Sequence, residues 1–344
     1  MFLVVQTRVD LMRNGIFCSG IWVVDLIKFI DEYPAIEKLT AIHQVEQNGG
    51  GAPFNVLLNL RTMDPKIPLF ASGLIGNDGT GAFLIQKLLE HNVSCGDLKA
   101  VEGLSTSYTD VMVEKKTGKR TFFHFKGANS KLDVDDILSV ETKAKIFHLG
   151  YPLLLDELDK PDPTFGTKSA RLLFEMQKRG YKTSLDLISE ESDRYKKIVV
   201  PALRYVDYLI INEFEAEKTA GIPTRDAKGK IDLNAFKKSA RQLIEYGVNE
   251  LVVFHCPEGG YLFNSKHEEY FVPSDLIAEE DIVSNLGAGD AFCAGMLYAI
   301  HKNFSPLHCL KIANTNARFS LLQESGTGST HSKEFQNYLA QLDV

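Results

Sequence analysis

The residues best suited to chemistry lie in a polar segment near the C-terminus, residues 284–292, which read SNLGAGDAF. Glycines allow the backbone to turn tightly and bring bare N–H groups close to a ligand. The first turn of a helix leaves further N–H donors unpaired and carries a partial positive charge. Gly287, Ala288 and Gly289 are therefore predicted to form a site for a phosphate-like anion at a helix start.

Asp290 follows these residues directly, at the mouth of the predicted anion site. A carboxylate in that position suits the removal of a proton from a hydroxyl group that attacks a phosphoryl group. The alternative is structural, because an aspartate near a helix start is also a common capping arrangement. The segment alone does not separate the two interpretations.

A second glycine-rich segment, residues 48–55, reads NGGGAPFN. It has neither the glycine spacing of a dinucleotide fingerprint nor the lysine of a P-loop. Gly50 and Gly51 would let the backbone approach a small polar ligand, and Asn55 can offer hydroxyl groups both a donor and an acceptor. Asp25 ends an apolar run and can accept two hydroxyl hydrogen bonds. For both segments the alternative is a tight turn with a cap.

Asn212 and Glu215 stand at the carboxyl end of an apolar strand pattern, where ligands collect in open α/β sheets. Their oxygens could face one hydrated magnesium ion, which prefers hard ligands and keeps several waters. Helix capping is the alternative. In a further loop, residues 73–81, Asp78 or Thr80 is predicted to cap the helix that follows.

The elements that must position these residues alternate between strands and helices. Strands are predicted at residues 16–24, 69–75, 108–113, 121–125, 145–149, 183–186, 208–212 and 251–255. Helices are predicted at residues 54–61, 81–91, 168–179, 234–246, 291–302 and 307–322. Several strands are apolar without alternation, as expected when both faces are covered. The pattern predicts one α/β domain over residues 1–344, with a mostly parallel, doubly wound sheet flanked by helices.

Residues 105–128 depart from this alternation. Two strand patterns joined by a polar loop, EKKTGK, predict a hairpin. Together with residues 16–25 the hairpin is predicted to form a small β-sheet lid rather than a second folding domain. Lys119, Arg120 or Lys126 on this lid could reach an anionic substrate, although solvated surface charges are the simpler interpretation.

Composition excludes several classes of protein. Hydrophobic residues are 44% and charged residues 24% of the chain, which is ordinary for a globular protein. The net charge of −7, without a basic stripe, argues against a nucleic-acid partner. Five scattered cysteines predict free thiols in a reducing compartment. No run approaches the roughly 18 apolar residues of a membrane span, so we expect a cytoplasmic protein with a small-molecule substrate.

In their order and spacing, four segments, residues 50–56, 76–81, 212–215 and 287–290, resemble those of the ribokinase-like carbohydrate kinases of the phosphofructokinase B type. The resemblance extends from about Gly15 to Gly326. It implies a ribokinase-like fold with a β lid over the sugar. It also implies transfer of the γ-phosphoryl group of ATP to a sugar hydroxyl, with Mg²⁺ as cofactor.

The same resemblance implies a role for each matching position. The residues implied in sugar binding are Asp25, Gly50, Gly51 and Asn55. Those implied in catalysis are Asp290 as the base and Gly287, Ala288 and Gly289 as backbone N–H donors to the transferring group. Those implied near the nucleotide and magnesium are Asn212 and Glu215, which would organise the water around the ion; no direct metal ligand is assigned.

Three departures from the family pattern leave details open. Ser284 and Asn285 stand where many members carry an Asp-Thr pair linked to a monovalent cation, so potassium dependence is in doubt. Residues 253–260 read VFHCPEGG in place of a Val-Thr-Leu-Gly stretch, so nucleotide affinity or choice is open. Residues 186–190, DLISE, break a pattern common in fructokinase-like members, which leaves ribose, another ketose or deoxyketose, or a nucleoside as acceptors.

Two alternatives to a sugar kinase also stay open. A nucleoside kinase on the same fold would need an apolar slot for a base, for which Phe17, Trp22 and Phe123 are candidates. A non-catalytic sugar-binding protein on the kinase scaffold would explain the altered segments, although the retained Asp290 argues against it. Because exposed lid edges invite strand pairing, a homodimer through the lid is expected to be favoured over a monomer.

Overall fold

A computed structural model describes residues 13–275, 277–278, 281–323 and 332–342. The strands, in chain order, are β1 (Ile16–Gly20), β2 (Val23–Ile30), β3 (Ile42–Gly50), β4 (Leu69–Gly76), β5 (Ser94–Val101), β6 (Ser107–Glu114), β7 (Arg120–Phe125), β8 (Ile146–Gly150), β9 (Pro161–Asp162), β10 (Gly166–Thr167), β11 (Lys182–Asp186), β12 (Tyr208–Asn212), β13 (Leu251–Cys256), β14 (Gly259–Asn264) and β15 (Glu269–Pro273). The α-helices are α1 (Ala52–Met63), α2 (Gly79–Glu90), α3 (Val134–Leu138), α4 (Lys168–Lys178), α5 (Tyr195–Ile198), α6 (Val200–Leu203), α7 (Glu213–Ala220), α8 (Leu233–Glu245), α9 (Ala288–His301), α10 (Pro306–Leu321) and α11 (Ser332–Gln341).

Nine strands form the main sheet, in the order β15-β14-β13-β12-β11-β8-β1-β4-β5. The seven strands from β13 to β5 pair in parallel, and β14 and β15 add an antiparallel edge. The predicted doubly wound α/β sheet, mostly parallel, is therefore confirmed.

Helices cover both faces of this sheet. Along β12, Leu209 and Ile211 belong to one hydrophobic core, while Tyr208 and Ile210 belong to a second core on the other face. A strand buried on both sides has no polar face, which explains its continuous apolar sequence. The second core also contains the apolar residues of α9, which carries the glycine-flanked Asp290 at its start.

The strand order reverses at β1, because β4 and β5 lie to one side of it and β8 and β11 to the other. In sheets of this type the crevice at such a reversal, outside the carboxyl ends of the strands, is where ligands bind. Gly20 of β1 and Gly150 of β8 are paired at that end. The fold therefore places its ligand crevice beside these two glycines.

A separate four-stranded sheet, in the order β3-β2-β6-β7, forms the lid. The predicted hairpin is confirmed as β6 and β7. The prediction that residues 16–25 pair with it is wrong for the first half, since β1 lies in the main sheet. Gly20 ends β1 with a φ of 136°, and a Cβ there would lie only 2.1 Å from the carbonyl oxygen of Gly150. The chain then crosses to β2.

The described part of the chain has no helix with both the length and the apolar character that spanning a bilayer requires. All five cysteines are free, in agreement with the scattered spacing.

Candidate active site

Two cavities meet at the start of α9. The first lies between the lid and the crevice of the main sheet, has a volume of about 600 Å³, and is called the lid cavity here. Its walls include Asp25, Asn55 and Asp290. The second, called the outer cavity, has a volume of about 590 Å³, and its walls include Asn212 and Gly289. Within residues 285–290, Leu286, Gly287 and Asp290 line the lid cavity, and Asn285, Ala288 and Gly289 line the outer cavity.

Asp290 is buried in the first turn of α9, facing the lid cavity. The side-chain amide of Asn55 donates to Oδ2 at 2.7 Å, and the hydroxyl of Tyr151 donates to Oδ1 at 2.5 Å. Burial raises the pKa of Asp290 to about 6, while these two hydrogen bonds act to lower it. The carboxylate is thus engaged by side chains of the cavity, and no side chain caps the helix start. The capping interpretation of Asp290 is therefore wrong.

The backbone before Asp290 makes the tight turn that its glycines permit. Gly287 stands at the N-cap with a φ of 76°, a left-handed conformation that favours glycine. Ala288 and Gly289 line the outer cavity, whereas Gly287 lines the lid cavity. The amide end of α9, with its partial positive charge, therefore lies at the junction of the two cavities.

His255 packs against this helix start from β13. Its ring centroid lies 5.0 Å from that of Phe292, and a Cβ on Gly289 would lie 3.1 Å from its Cε1. Burial lowers the pKa of His255 to about 4, so the imidazole beside Gly289 is neutral at pH 7. The departure noted at residues 253–260 thus places a neutral histidine in the wall of the outer cavity.

The sequence pattern places Asp25 at the end of a strand. In the structure Asp25 lies inside β2, and its side chain lines the lid cavity from there. Burial raises the pKa of Asp25 to about 6; a hydrogen bond from Thr109 opposes this, and the nearby charge of Asp290 adds to it. Thr109 stands opposite Asp25 in the parallel pairing of β2 with β6. The Thr109 hydroxyl also contacts Nδ1 of His124 at 3.0 Å.

The glycine pair before α1 allows the backbone to approach both Asp25 and the loop beneath it. A Cβ on Gly50 would lie 2.5 Å from Oδ2 of Asp25, and one on Gly51 would lie 2.1 Å from the carbonyl oxygen of Ile21. Gly51 also has a φ of 87° and lines the cavity. At both glycines the backbone thus packs closely against other parts of the protein, and Asn55 follows one turn later in α1.

Asn212 and Glu215 form a reciprocal capping box at the start of α7. Oε2 of Glu215 accepts from the backbone N–H of Asn212 at 3.0 Å, and Oε1 accepts from the Asn212 amide and the Ser189 hydroxyl, each at 2.9 Å. Burial raises the pKa of Glu215. Asn212 lines the outer cavity, whereas Glu215 lies buried behind it. This donor set fits a magnesium ion held through water better than one held directly.

A different group, His148, Asp186 and Cys293, brings three potential metal-ligand atoms within 4.8 Å of one another. All three residues are buried, and none of them lines either cavity. Burial lowers the pKa of His148 to about 3 and holds that of Cys293 well above its usual range. A neutral imidazole and a thiol make a packed polar core here, and this mixed set is unsuited to magnesium.

The lid also contacts residues 284–292 directly. Arg120, the first residue of β7, donates from Nη1 to the hydroxyl of Ser284 at 3.2 Å. Phe122 and His124 of the same strand line the lid cavity. The edge of the lid is therefore hydrogen-bonded to the segment that leads into α9, the helix that carries Asp290.

The sequence analysis missed several residues of the cavity. Tyr151 lies two residues beyond the strand predicted at residues 145–149, and its type did not distinguish it from a core tyrosine. Phe122 and His124 carried no signal beyond their position in the hairpin. Of the suggested base-binding residues, Phe17 and Trp22 are fully buried in the two hydrophobic cores, and Phe123 does not line the cavity.

Known proteins share both the sequence pattern and the fold. A family model described as pfkB family carbohydrate kinase matches residues 13–333. An ATP-dependent 6-phosphofructokinase from Thermoanaerobacterium thermosaccharolyticum is 24% identical over 279 residues, which cover 79% of this chain and 78% of that protein.

Among solved structures, a ribokinase from Arabidopsis thaliana in complex with ribose and ATP has a TM-score of 0.76 at 19% identity, covering 95% of this chain and 99% of the other. A ribokinase from Thermotoga maritima has a TM-score of 0.75 at 20% identity, covering 95% and 100%. These likenesses establish a ribokinase-like fold.

Proposed function

The chain belongs to the pfkB family of carbohydrate kinases, and we propose that it transfers the γ-phosphoryl group of ATP to a hydroxyl group of a small sugar. The observation that carries this proposal is the position of Asp290 between two cavities of similar size. One cavity would take the acceptor under the lid, and the other would take the nucleotide.

In the lid cavity, Asp25 and Asn55 would bind hydroxyl groups of the acceptor, with the backbone at Gly50 and Gly51 close against it. The short distance from Asn55 to Asp290, 2.7 Å, supports a single arrangement of acceptor-binding and proton-accepting groups. Burial of these groups strengthens each hydrogen bond to the acceptor.

During the reaction, the acceptor oxygen forms a bond to the γ-phosphorus while the bond from that phosphorus to the bridging oxygen of ADP breaks. The acceptor proton passes to the carboxylate of Asp290. Because phosphoryl transfer has a loose transition state, positioning and charge stabilisation supply most of the rate enhancement. The N–H groups of Gly287, Ala288 and Gly289 would supply that stabilisation.

Magnesium would neutralise part of the charge on the phosphate oxygens when bound. Asn212, at the wall of the outer cavity, and Glu215 behind it would orient water around that ion. Neither is proposed as a direct ligand, because the carboxylate oxygens of Glu215 already accept three hydrogen bonds. Potassium is not assigned a role, since Ser284 and Asn285 replace the pair linked to that ion.

A nucleoside kinase is the second candidate. The lid cavity has apolar walls that include Phe122, Leu154 and Ile188, which suit a base as well as the carbon face of a sugar. A panel of sugars and nucleosides with ATP, read by ADP release, separates the two candidates. If no acceptor in the panel yields ADP while a sugar still raises the melting temperature, a binding protein that has lost turnover is favoured instead.

The decisive variant is Asp290→Asn, which removes the proton acceptor with little change in shape. We expect the turnover number with the best acceptor to fall by about 10²–10⁴-fold, the usual contribution of a general base. Acceptor binding, measured by calorimetry, should be largely retained. Asp97→Asn, at an exposed acid on β5, is the matched control. Unchanged turnover in the Asp290 variant would remove the assigned base.

We also propose that two chains associate through their lids. Val45 on β3 and Phe123 and Phe125 on β7 are exposed, at 58%, 56% and 45%. Both strands are edges of the lid sheet, and exposed apolar edge strands favour pairing with another chain.

A further inference from the structure

The charges around the lid cavity restrict the acceptor more than the family does. Three carboxylate residues line the cavity, Asp25, Glu190 and Asp290, while no lysine or arginine among the described residues does. We infer that the acceptor carries no phosphate or carboxylate: the enzyme phosphorylates an uncharged sugar or polyol, not a sugar phosphate or a sugar acid. This inference rests on the proposed function, because it names the substrate class of the same site.

Two basic residues that contact or neighbour cavity-lining residues are already engaged by carboxylates. Arg194 pairs with both oxygens of Glu190, at 2.7 and 2.5 Å, and donates to the carbonyl oxygen of Leu153 at 2.8 Å. Lys126 forms an ion pair with Asp156 at 2.5 Å. To gain either of these two cations, a phosphate group entering the cavity would therefore have to displace the carboxylate partner of Arg194 or Lys126.

The other polar groups of the wall do not replace a cation. Arg120 of the lid does not line the cavity, and its Nη1 donates to the hydroxyl of Ser284 at 3.2 Å. His124 lines the cavity, but partial desolvation and then the nearby charge of Lys126 lower its pKa, so it is neutral at pH 7. Carboxylates that face an anionic ligand in a desolvated site strongly disfavour its binding.

The remaining wall suits an uncharged molecule. Ile21, Val23 and Leu286 join Phe122 and Leu154 in presenting apolar surface to the cavity. The C–H faces of a sugar ring or an aromatic substituent can pack against such surface without loss of solvation for a charge. The outer cavity differs, since Arg318 and the amide end of α9 face the space assigned to the anionic nucleotide.

The test compares uncharged acceptors with their charged counterparts: fructose with its 1- and 6-phosphates, ribose with its 5-phosphate, adenosine with AMP, and glucose with gluconate. We expect kcat/KM, measured by ADP release, to be at least about 100-fold higher for the preferred uncharged member than for its anionic counterpart. An equal or higher value for a phosphorylated sugar would overturn the inference and leave the kinase assignment intact.

Measuring binding without turnover tests the inference about acceptor charge separately from the proposed kinase activity. If no acceptor yields ADP, the kinase proposal fails, and the thermal shift of each pair still discriminates. A rise in melting temperature with the uncharged member alone supports an uncharged ligand. A larger rise with the anionic member, or none with either member of any pair, contradicts it.

A variant pair tests whether the carboxylates cause the discrimination. Glu190→Gln removes one negative charge and frees Arg194, so the preference for the uncharged member should fall by about tenfold, which corresponds to one lost like-charge contact. Glu191→Gln is the matched control, because that side chain is 82% exposed, pairs with Lys218 and does not line the cavity. An unchanged preference in the Glu190 variant would overturn the electrostatic explanation.

Discussion

At the scale of single residues, the carboxylate of Asp290 is held by donors from two distant parts of the chain. Asn55 and Tyr151 each donate to a different oxygen of it. Burial raises its pKa to about 6, and both donors oppose that rise by favouring the ionised form. An acid with a pKa near 6 is suited to accept a proton near neutral pH and release it afterwards.

Tyr151 should therefore set the pH dependence of the reaction. Burial holds the pKa of the phenol well above its usual range, so it stays a donor. In Tyr151→Phe the lost hydrogen bond should raise the pKa of Asp290 further, moving the acid limb of the kcat/KM profile upward by about one pH unit. Activity at pH 6 should fall more than activity at pH 8.

Tyr33→Phe is the control for this experiment, since its hydroxyl donates to the carbonyl oxygen of Met112 on the lid. Its acid limb should stay in place. A Tyr151→Phe profile that is lower at all pH values but unshifted would indicate that the tyrosine acts only in packing.

The sequence was informative about Asn55 and Asp290 and uninformative about Tyr151, for a physical reason. Asn55 and Asp290 lie in glycine-rich segments whose order and spacing resemble those of a known family, so the segments as a set carry a signal. A tyrosine after a strand is ordinary core material. Tyr151 becomes a site residue because it has a φ of 65° and its backbone N–H donates to the carbonyl oxygen of Asp186. Both features depend on tertiary structure.

At the scale of elements, the turn from β3 into α1 requires glycine. Gly51→Ala combines a left-handed φ of 87° with a Cβ at 2.1 Å from the carbonyl oxygen of Ile21. We expect the free energy of unfolding to fall by at least about 1–3 kcal/mol, the usual cost of such backbone strain. Acceptor KM should also rise, since Gly51 lines the lid cavity.

Chemical denaturation measures this loss, and Gly96→Ala provides the comparison. Gly96 lies in β5, where a Cβ would meet no neighbouring atom within 4 Å, and its φ lies outside the left-handed region. The free energy of unfolding of Gly96→Ala should differ from that of the unmodified protein by no more than about 0.5 kcal/mol. Equal effects of the two substitutions would mean that the turn tolerates a side chain.

In the lid, sequence patterns predicted some strands and failed to predict others. The hairpin of β6 and β7 was predictable from its strand patterns and its glycine-containing loop. By contrast, β3 was missed, because its residues are mostly polar and exposed and show no apolar face. The boundary between β1 and β2 was also missed, because two apolar runs follow each other with only Gly20 to mark the change of sheet.

At the scale of the whole molecule, the lid is both the roof of a cavity and the surface proposed for dimer formation. Val45, Phe123 and Phe125 lie on the sheet face opposite Asp25, by the registers of the four strands. Light scattering should give about twice the mass of one 38.4 kDa chain. Phe123→Arg should shift the protein toward monomer by burying an unpaired charge at the contact.

Leu89→Arg, at an equally exposed apolar residue on α2, should leave that mass unchanged. A single-chain mass for the unmodified protein throughout the micromolar range would refute association through the lid.

The centre of the molecule holds a group of buried acids that opposes folding. Asp186 and Glu215 accompany Asp290 there, and burial raises the pKa of each, followed for Asp186 by repulsion from the other two charges. Buried carboxylates with raised pKa values stabilise the fold only while they are protonated. Their stabilising contribution is complete when the pH is below the pKa of the unfolded chain. It is lost as the pH rises through the pKa of the folded chain.

Asp290 provides the means to isolate this cost in the ligand-free protein. Its pKa is raised from 3.8 to about 6, so ionisation destabilises the fold progressively between pH 4 and 7. Asn cannot ionise, so the stability of Asp290→Asn relative to the unmodified chain should grow over that range, by on the order of 3 kcal/mol at about 1.36 kcal/mol per pKa unit.

The difference between the two proteins is the informative quantity, because buried histidines act in the opposite direction. His148 and His255 have pKa values lowered to about 3 and about 4, so their stabilising effect increases as the pH rises toward 6.5. Both proteins contain these histidines, so their effects on the free energy of unfolding cancel in the comparison. The effect of Asp290 does not cancel, because only one protein contains it. Denaturation of both proteins at pH 4, 5.5 and 7, with Asp97→Asn as control, should give a gap that widens with pH. A constant gap would mean that Asp290 is ionised throughout, and that burial does not hold its proton.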